Sequence, residues 1–173
     1  LSLSLYLCSM NMGIMEWGSA AASSPSTSAL AHRAWEKWVS TCIGSSSGEP
    51  LKAALLLNYD PSAPSRSMPI IAEQQGIKLM PPDLCTFVDF VRRNNLQKDL
   101  FFIGQNQYIV TSIHEHWFCA RCVNTSKPAG EGVIVVQTAA FLLVALYEGS
   151  IGAASLAMAV VDQFELHLSR KNL

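Results

Sequence analysis

Charge is what this sequence has least of. Only 14% of its 173 residues are Asp, Glu, Lys or Arg, and the formal net charge is −1. No overall field steers the chain toward nucleic acid or an anionic membrane, so any electrostatic partner must be met by a local patch. No acidic residue precedes Glu16 and no basic residue precedes Arg33. The apolar start LSLSLYLCSMNMGIM therefore lacks the basic n-region of a secretory signal, although the Ser-Ala-Ala-Ala run from Ser19 has the small residues of a cleavage site. Cysteine is also sparse. Cys8, Cys42, Cys85, Cys119 and Cys122 are odd in number and only the last two lie close together. That is unlike a secreted disulfide framework and reads as a reducing compartment. Missing too are GxSxG, a Walker loop and GxGxxG, and the carboxylates are scattered. The expectation is a protein that is not an enzyme and holds no cofactor.

Hydrophobic residues, by contrast, make up half of the chain, enough for a core. The longest apolar run, Ala139–Val161, has the length of a membrane span. Glu148 sits near its middle, where a lone carboxylate is costly in lipid, and Gly149 and Gly152 divide it. Its first half is β-rich and its second half helix-rich, so it reads as a strand followed by a helix.

Residues 1–29 read as a disordered or non-native leader, with Ser19–Ser28 mostly Ser and Ala. Residues 30–173 read as one domain. Ala31, Trp35, Trp38, Val39 and Cys42 recur at helical spacing and predict a helix over Ala31–Ile43, ended by Gly44. Leu51–Tyr59 and Met68–Ala72 suit strands, with the two prolines of Asp60–Ser67 between them. Pro81-Pro82-Asp83 opens a second helix whose buried face is Leu84, Phe87, Val88 and Val91. Leu100–Ile103, Gln107–Ile113, His116–Arg121, Val133–Thr138 and Phe141–Tyr147 read as strands joined by short links, hence an antiparallel sheet. Ala154–Ser169 closes the chain as a helix. The order predicts an α/β (α+β) fold: a central antiparallel sheet with the N- and C-terminal helices packed on one face.

Several segments carry a likeness. Ala34-Trp35-Glu36-Lys37-Trp38 resembles the opening W-x-x-Y helix of profilins. Gly76 followed by Met80-Pro81-Pro82-Asp83-Leu84 resembles the family's glycine and T-P-x-E helix start. Gly104-Gln105 stands where the family has a Gly-Gln hairpin. Gly132–Thr138 with Phe141–Ala145 resembles its closing hairpin, and Val160–Leu173, with His167-Leu168, its terminal amphipathic helix. The likeness spans residues 30–173, and Tyr108–Arg121 is nearest to the divergent, profilin-4-like branch.

The resemblance implies a cytoplasmic, cytoskeletal protein that binds monomeric actin, proline-rich proteins and phosphoinositides, but no nucleic acid. It places Trp35, Trp38, Ile71, His167, Leu168 and Leu173 in a poly-proline groove between the terminal helices. Taken alone, Trp35 and Trp38 at helical spacing would be expected to face the core. Ile71 stands in place of a family Trp and Leu173 in place of a frequent terminal Tyr, which implies weak or altered proline-peptide binding. The actin face, built in profilins from the later strands and the first half of the last helix, would comprise Asn106, Tyr108, Thr111, Arg121, Lys127, Gln137, Met158 and Asp162. Asn106, Thr111 and Gln137 replace basic residues there and Met158 replaces an Asn, so weak actin binding is expected. The alternative is a divergent profilin that acts through acidic phospholipid or another protein. Arg92, Arg93, Lys98, Arg170 and Lys171 are the cations for lipid head groups. They also suit helix C-termini, where positive charge is favoured.

One further pattern is His114-x-His116-x-x-Cys119-x-x-Cys122. It holds four residues of zinc-ligand type. On a strand Cys119 and Cys122 point to opposite faces, and the expectation is ordinary strand residues with cysteines acting as small hydrophobes.

Overall fold

A computed structural model describes residues 26–44, 48–64, 67–97 and 99–173. The expected leader lies almost wholly outside them, as do Cys8 and Lys98. The first helix, α1, is Thr27–Cys42. It begins before the expected Ala31, because the Ser26 hydroxyl accepts a hydrogen bond from the Ala29 amide, at 3.3 Å, and caps the first turn. Residues 26–29 of the expected leader therefore form the cap and opening of α1. Strands β1 (Ala53–Asn58) and β2 (Ile70–Gln75) follow. Pro81–Leu84 forms a 3-10 turn that runs directly into α2 (Cys85–Arg93), with Asp83 accepting from the Met80 amide at 2.8 Å. Then come β3 (Leu100–Ile103), β4 (Asn106–Ile113), β5 (Trp117–Cys122), β6 (Glu131–Gln137), β7 (Phe141–Glu148) and α3 (Ile151–Ser169).

The seven strands form one sheet in the order β2-β1-β7-β6-β5-β4-β3, and every pairing is antiparallel. Helices lie on both faces. On one, Trp35, Trp38, Val161, Phe164 and Leu168 of α1 and α3 pack against Leu56, Ile134, Val136, Leu143 and Ala145. On the other, Phe87, Val88 and Phe90 of α2 pack against Leu55, Leu57, Phe101, Tyr108, Val133 and Val144. Each fully buried Leu, Val or Phe contributes about 1.5–3 kcal/mol of transfer free energy. Because β1, β6 and β7 are covered on both faces, both alternating side-chain sets must be apolar, and their sequences read as unbroken runs. That is the physical origin of the span-length run Ala139–Val161. Its first part is the central strand β7 and its second part is in α3. Between them Gly149, at φ +121, turns the chain through a conformation that few other residues adopt. No helix among the described residues is long and apolar enough to cross a membrane.

A charge cluster closes one end of the sheet. Glu131, the buried charged residue of β6, accepts from Lys52 Nζ at 2.5 Å and from Thr125 Oγ1 at 2.6 Å, and Lys127 stands 3.6 Å away while also pairing with Glu148. Burial alone would raise the Glu131 pKa. The hydrogen bonds from Lys52 and Thr125 and the charges of Lys52 and Lys127 outweigh it and hold the carboxyl below the ordinary range. A depressed folded pKa stabilises the protein above the unfolded value of about 4.3, and this contribution is lost as pH falls through the folded value. Glu131→Gln is therefore expected to cost about 1–2 kcal/mol at neutral pH, a modest figure because Lys52 and Lys127 are partly solvated. In urea denaturation the difference from the parent should shrink below about pH 4. A difference that stayed constant down to pH 3 would overturn the charge-cluster account.

Candidate binding surfaces

The interface between α1 and α3 is built from three aromatic rings. Trp38 stacks on Phe164 with centroids 4.5 Å apart and planes 11° from parallel, and Trp35 meets Trp38 at 5.6 Å and Phe164 at 6.0 Å. The Trp38 indole donates its N–H to the Val160 carbonyl at 2.8 Å. Only 3% of Trp35 and 7% of Trp38 are exposed. Both indoles are therefore core residues, as their helical spacing alone suggested. Their flat faces are occupied by each other and by Phe164. Leu168 and Leu173 are buried in the same core, Leu173 being tied back by its amide to the Leu168 carbonyl at 3.1 Å.

Ile71 is separated from this cluster by a register shift. Leu56 pairs with Glu73 but Leu57 pairs with Ile71, so Ala72 is the extra residue of a bulge. The bulge turns Ile71 toward the α2-side core, whereas Glu73 faces α1 and contacts His32 there at 2.5 Å. Of the six residues expected in the groove, Trp35, Trp38, Leu168 and Leu173 share one core, and only Trp38 and the exposed His167 reach an open hollow. These two line the hollow, of about 200 Å³, with Ala34, Lys37, Thr41, Gln163 and Phe164. Of the lining residues missed from sequence, Ala34 and Thr41 lie one helical turn from Trp38 and Gln163 and Phe164 one turn from His167, and that spacing was the available signal; Lys37 adjoins Trp38 in the chain.

The expected actin residues divide in the same way. Tyr108 is fully buried and its ring stacks on Phe101 at 5.4 Å in the α2-side core. Burial pushes its phenol up to about 12, with a contact from Asn106 opposing. Alternation from Tyr108 puts its neighbour Ile109, not Tyr108, on the opposite face. Thr111 is the bulge residue between Val110 and Ser112, exposed, and donates to the Cys119 carbonyl at 3.3 Å. Arg121 donates to the Gly149 carbonyl at 2.9 Å and lies 5.8 Å from the Tyr147 ring centre, which pins the turn before α3. Lys127 is taken up by Glu131 and Glu148. Asn106, Arg121 and Lys127 lie toward the sheet end where β4 begins and β5 stops, while Gln137 terminates β6 at the other end. Met158 is half-buried against the helix-side core and Asp162 is exposed on α3.

What sequence reading did not find is an open half of the sheet. On the α1/α3 side the helices pack over β2, β7 and β6. Beyond them, toward β3, stand Leu100, Phe102 and Ile109, exposed at 45, 43 and 47%. Leu100 is opposite Ile109, which is opposite Arg121 on β5. Phe101 and Ile103 belong to the α2-side core, so alternation assigns Leu100 and Phe102 to this open face.

Elsewhere, His114 stacks on Trp117 at 3.7 Å in the β4–β5 hairpin, Cys119 is half-buried opposite Ile134, and Cys122 lies 3.2 Å from the Asn124 side chain. Among the described residues no three His, Cys, Asp or Glu side chains converge as metal ligands. The described cysteines Cys42, Cys85, Cys119 and Cys122 are free. Arg92 is engaged by the Pro64 carbonyl and the Ser67 hydroxyl, both at 3.2 Å, and Arg93 by the Asp89 carbonyl at 3.3 Å.

An antiparallel sheet with terminal helices on one face and an open apolar half defines a binding domain, with no catalytic constellation in the features described. The Profilin family model matches residues 33–173. The fold is similar to Acanthamoeba castellanii profilin IA (TM-score 0.57, 18% identity, covering 80% of this chain and 99% of that one). It is equally similar to rat profilin 2a (TM-score 0.57, 9% identity, 86% and 100%). Acanthamoeba castellanii profilin II gives 0.56 at 16% identity, covering 80% and 99%. At these identities the structural likeness is one of fold. No curated protein matches the chain. The chain belongs to the profilin family. Profilins are non-enzymatic actin-binding proteins, and this chain is in general terms an actin-binding regulator.

Proposed function

We propose that the chain binds monomeric actin through the open half of its sheet and the adjoining start of α3, and so regulates filament assembly at the cytoplasmic actin cytoskeleton. The observation that carries this reading is the row Leu100, Ile109 and Arg121, with Phe102 beside it, left uncovered by either terminal helix. Exposed apolar side chains that share one face mark an interaction surface. Its chemistry differs from the charge-paired contact implied by the family. Arg121 and Lys127 are engaged within the fold, so the contact rests on apolar burial and should be weak and only slightly salt-sensitive.

The test is titration of monomeric actin, read by sedimentation at low and at physiological salt. Saturable binding is expected, with Ile109→Glu weakening it at least about tenfold, or ~1.4 kcal/mol, without loss of the circular dichroism spectrum. A folded protein that fails to bind, or an Ile109→Glu variant that binds as the parent does, would sink the proposal. Binding to proline-rich ligands is proposed to be weak, because Trp35, Trp38, Leu168 and Leu173 are committed to the core. If actin does not bind, the second reading, a divergent profilin acting on acidic phospholipid or another protein, rests on Arg170 and Lys171, which make no ion pair among the described residues.

A further inference from the structure

We infer that Ser67 is a phosphorylation site whose phosphate is held by Arg92 of α2, across the loop that links β1 to β2. The contact lies on the α2 side of the sheet, opposite the open face proposed for actin. The inference stands whether or not actin binds.

Arg92 stands in the last turn of α2, with its side chain only 13% exposed. Its guanidinium is incompletely satisfied. Nη1 donates to the Pro64 carbonyl and Nη2 to the Ser67 hydroxyl, both at 3.2 Å, whereas Nε is buried and has no acceptor among the described residues. A buried donor without a partner is costly, more so on a charged group. The Nε and Nη2 hydrogens point side by side from one edge of the guanidinium, the edge that grips two oxygens of a phosphate or carboxylate at once. Ser67 now offers that edge a single oxygen. A phosphate on the same hydroxyl brings three strong acceptors, so one oxygen serves Nη2 while a second supplies the acceptor that Nε lacks.

The modification gives up little. The Ser67 hydroxyl donates to the Pro64 carbonyl at 2.9 Å, and its phosphate ester would not. That carbonyl keeps the Ser67 amide at 3.0 Å and Arg92 Nη1. Two carboxylates stand nearby. Asp60 accepts from the Ser62 amide at 2.8 Å and the Ser62 hydroxyl at 2.6 Å, and Asp89 lies 3.8 Å from Nη1, beyond hydrogen-bond distance. The negative end of α2 opposes a phosphate with about half a charge, which a full guanidinium charge in direct contact outweighs. Other hydroxyls lack this setting: Ser62 faces Asp60, Thr125 faces Glu131 and Ser169 faces Glu165, so a phosphate there would meet like charge. Ser67 is also exposed on a loop, where a protein kinase can reach it. With ATP as donor, the hydroxyl proton passes to the kinase's base and an Oγ–P bond forms. The bond from the terminal phosphorus to its bridging oxygen breaks and ADP leaves. The product ties the β1–β2 loop to α2 by charge.

Phosphoserine would be incorporated in place of Ser67 in the full chain, and separately in place of Ser62, and each phosphate titrated by phosphorus NMR. Beside Arg92 the dianion is favoured, so the second phosphate pKa is expected about one unit below the value near 6 of a solvated phosphoserine, an about tenfold preference. In place of Ser62 the Asp60 carboxylate should keep it at or above that solvated value. Arg92→Gln should return the Ser67 phosphate to the solvated value. Circular dichroism would verify folding. Arg92→Lys, which keeps the charge but loses the fork, would replace a variant that fails to fold and should raise the pKa by about half a unit. In parallel the unmodified chain would be incubated with ATP and a eukaryotic cytosolic extract, and phosphate mapped by mass spectrometry, with Ser67 expected to carry it. Equal values at the two serines, a Ser67 phosphate indifferent to Arg92, or no phosphate on Ser67 after incubation would each overturn the inference.

Discussion

Trp38→Ala is expected to lower the unfolding free energy by about 3–5 kcal/mol, the range for deleting a buried indole or phenyl ring. Three effects add in one direction. The apolar face that stacks on Phe164 at 4.5 Å is lost, together with the contact to Trp35. A cavity is left between α1 and α3, which neither helix can fill without moving off the sheet. The Val160 carbonyl also loses the indole N–H that reaches it at 2.8 Å. A domain of this size has about 5–15 kcal/mol of stability in all, so the variant should remain folded in the cold but melt far below the parent. Urea denaturation followed by far-ultraviolet circular dichroism measures the loss. A cost below about 0.5 kcal/mol, typical of a surface substitution, would mean that the indole lies outside the core. Loss of a ligand in a tryptophan-to-alanine variant would therefore report unfolding as readily as contact, and the exposed Lys37, which lines the hollow, is the better probe of it.

Gly76→Ala should cost a comparable amount, roughly 2–5 kcal/mol, by a different route. Gly76 holds φ +75 at the end of β2, a left-handed conformation that a Cβ makes unfavourable. The Cβ would also lie 2.3 Å from the Lys52 carbonyl oxygen and 2.9 Å from the Ala53 Cα. Both obstacles are backbone, so no side-chain rotation relieves them; β2 would have to move away from the start of β1. The same denaturation experiment checks this, and a variant within about 0.5 kcal/mol of the parent would show that the β1–β2 corner is not held as described.

Much of the fold was legible because it follows from local rules. The antiparallel strands from β3 to β7 and the last helix were placed to within about three residues, since side-chain alternation, short polar links and helical spacing act over a few residues. The α1 start was misplaced because a single Ser26 hydroxyl decided it. The candidate surfaces were less legible. Tyr108 was assigned to an actin face and is in the core, since Leu100–Ile103 and Gln107–Ile113 mix apolar residues on both sides and periodicity cannot tell which side a helix covers. Ile71 was assigned to the groove, and one bulge at Ala72 sends it to the other face. Arg121 and Lys127 were read as free for a partner. Their commitment to Gly149, Glu131 and Glu148 depends on contacts across the sheet end that spacing does not encode.

The sequence by itself determined the element order, the two-sided burial of the central strands and membership in the profilin family, because each follows from the pattern of residues along the chain. Only the tertiary structure decided which aromatic faces remain accessible, which cations are already paired and which half of the sheet stays bare. Those outcomes depend on bulges, helix placement and pairings between residues tens of positions apart, and such long-range geometry has no signature in local spacing.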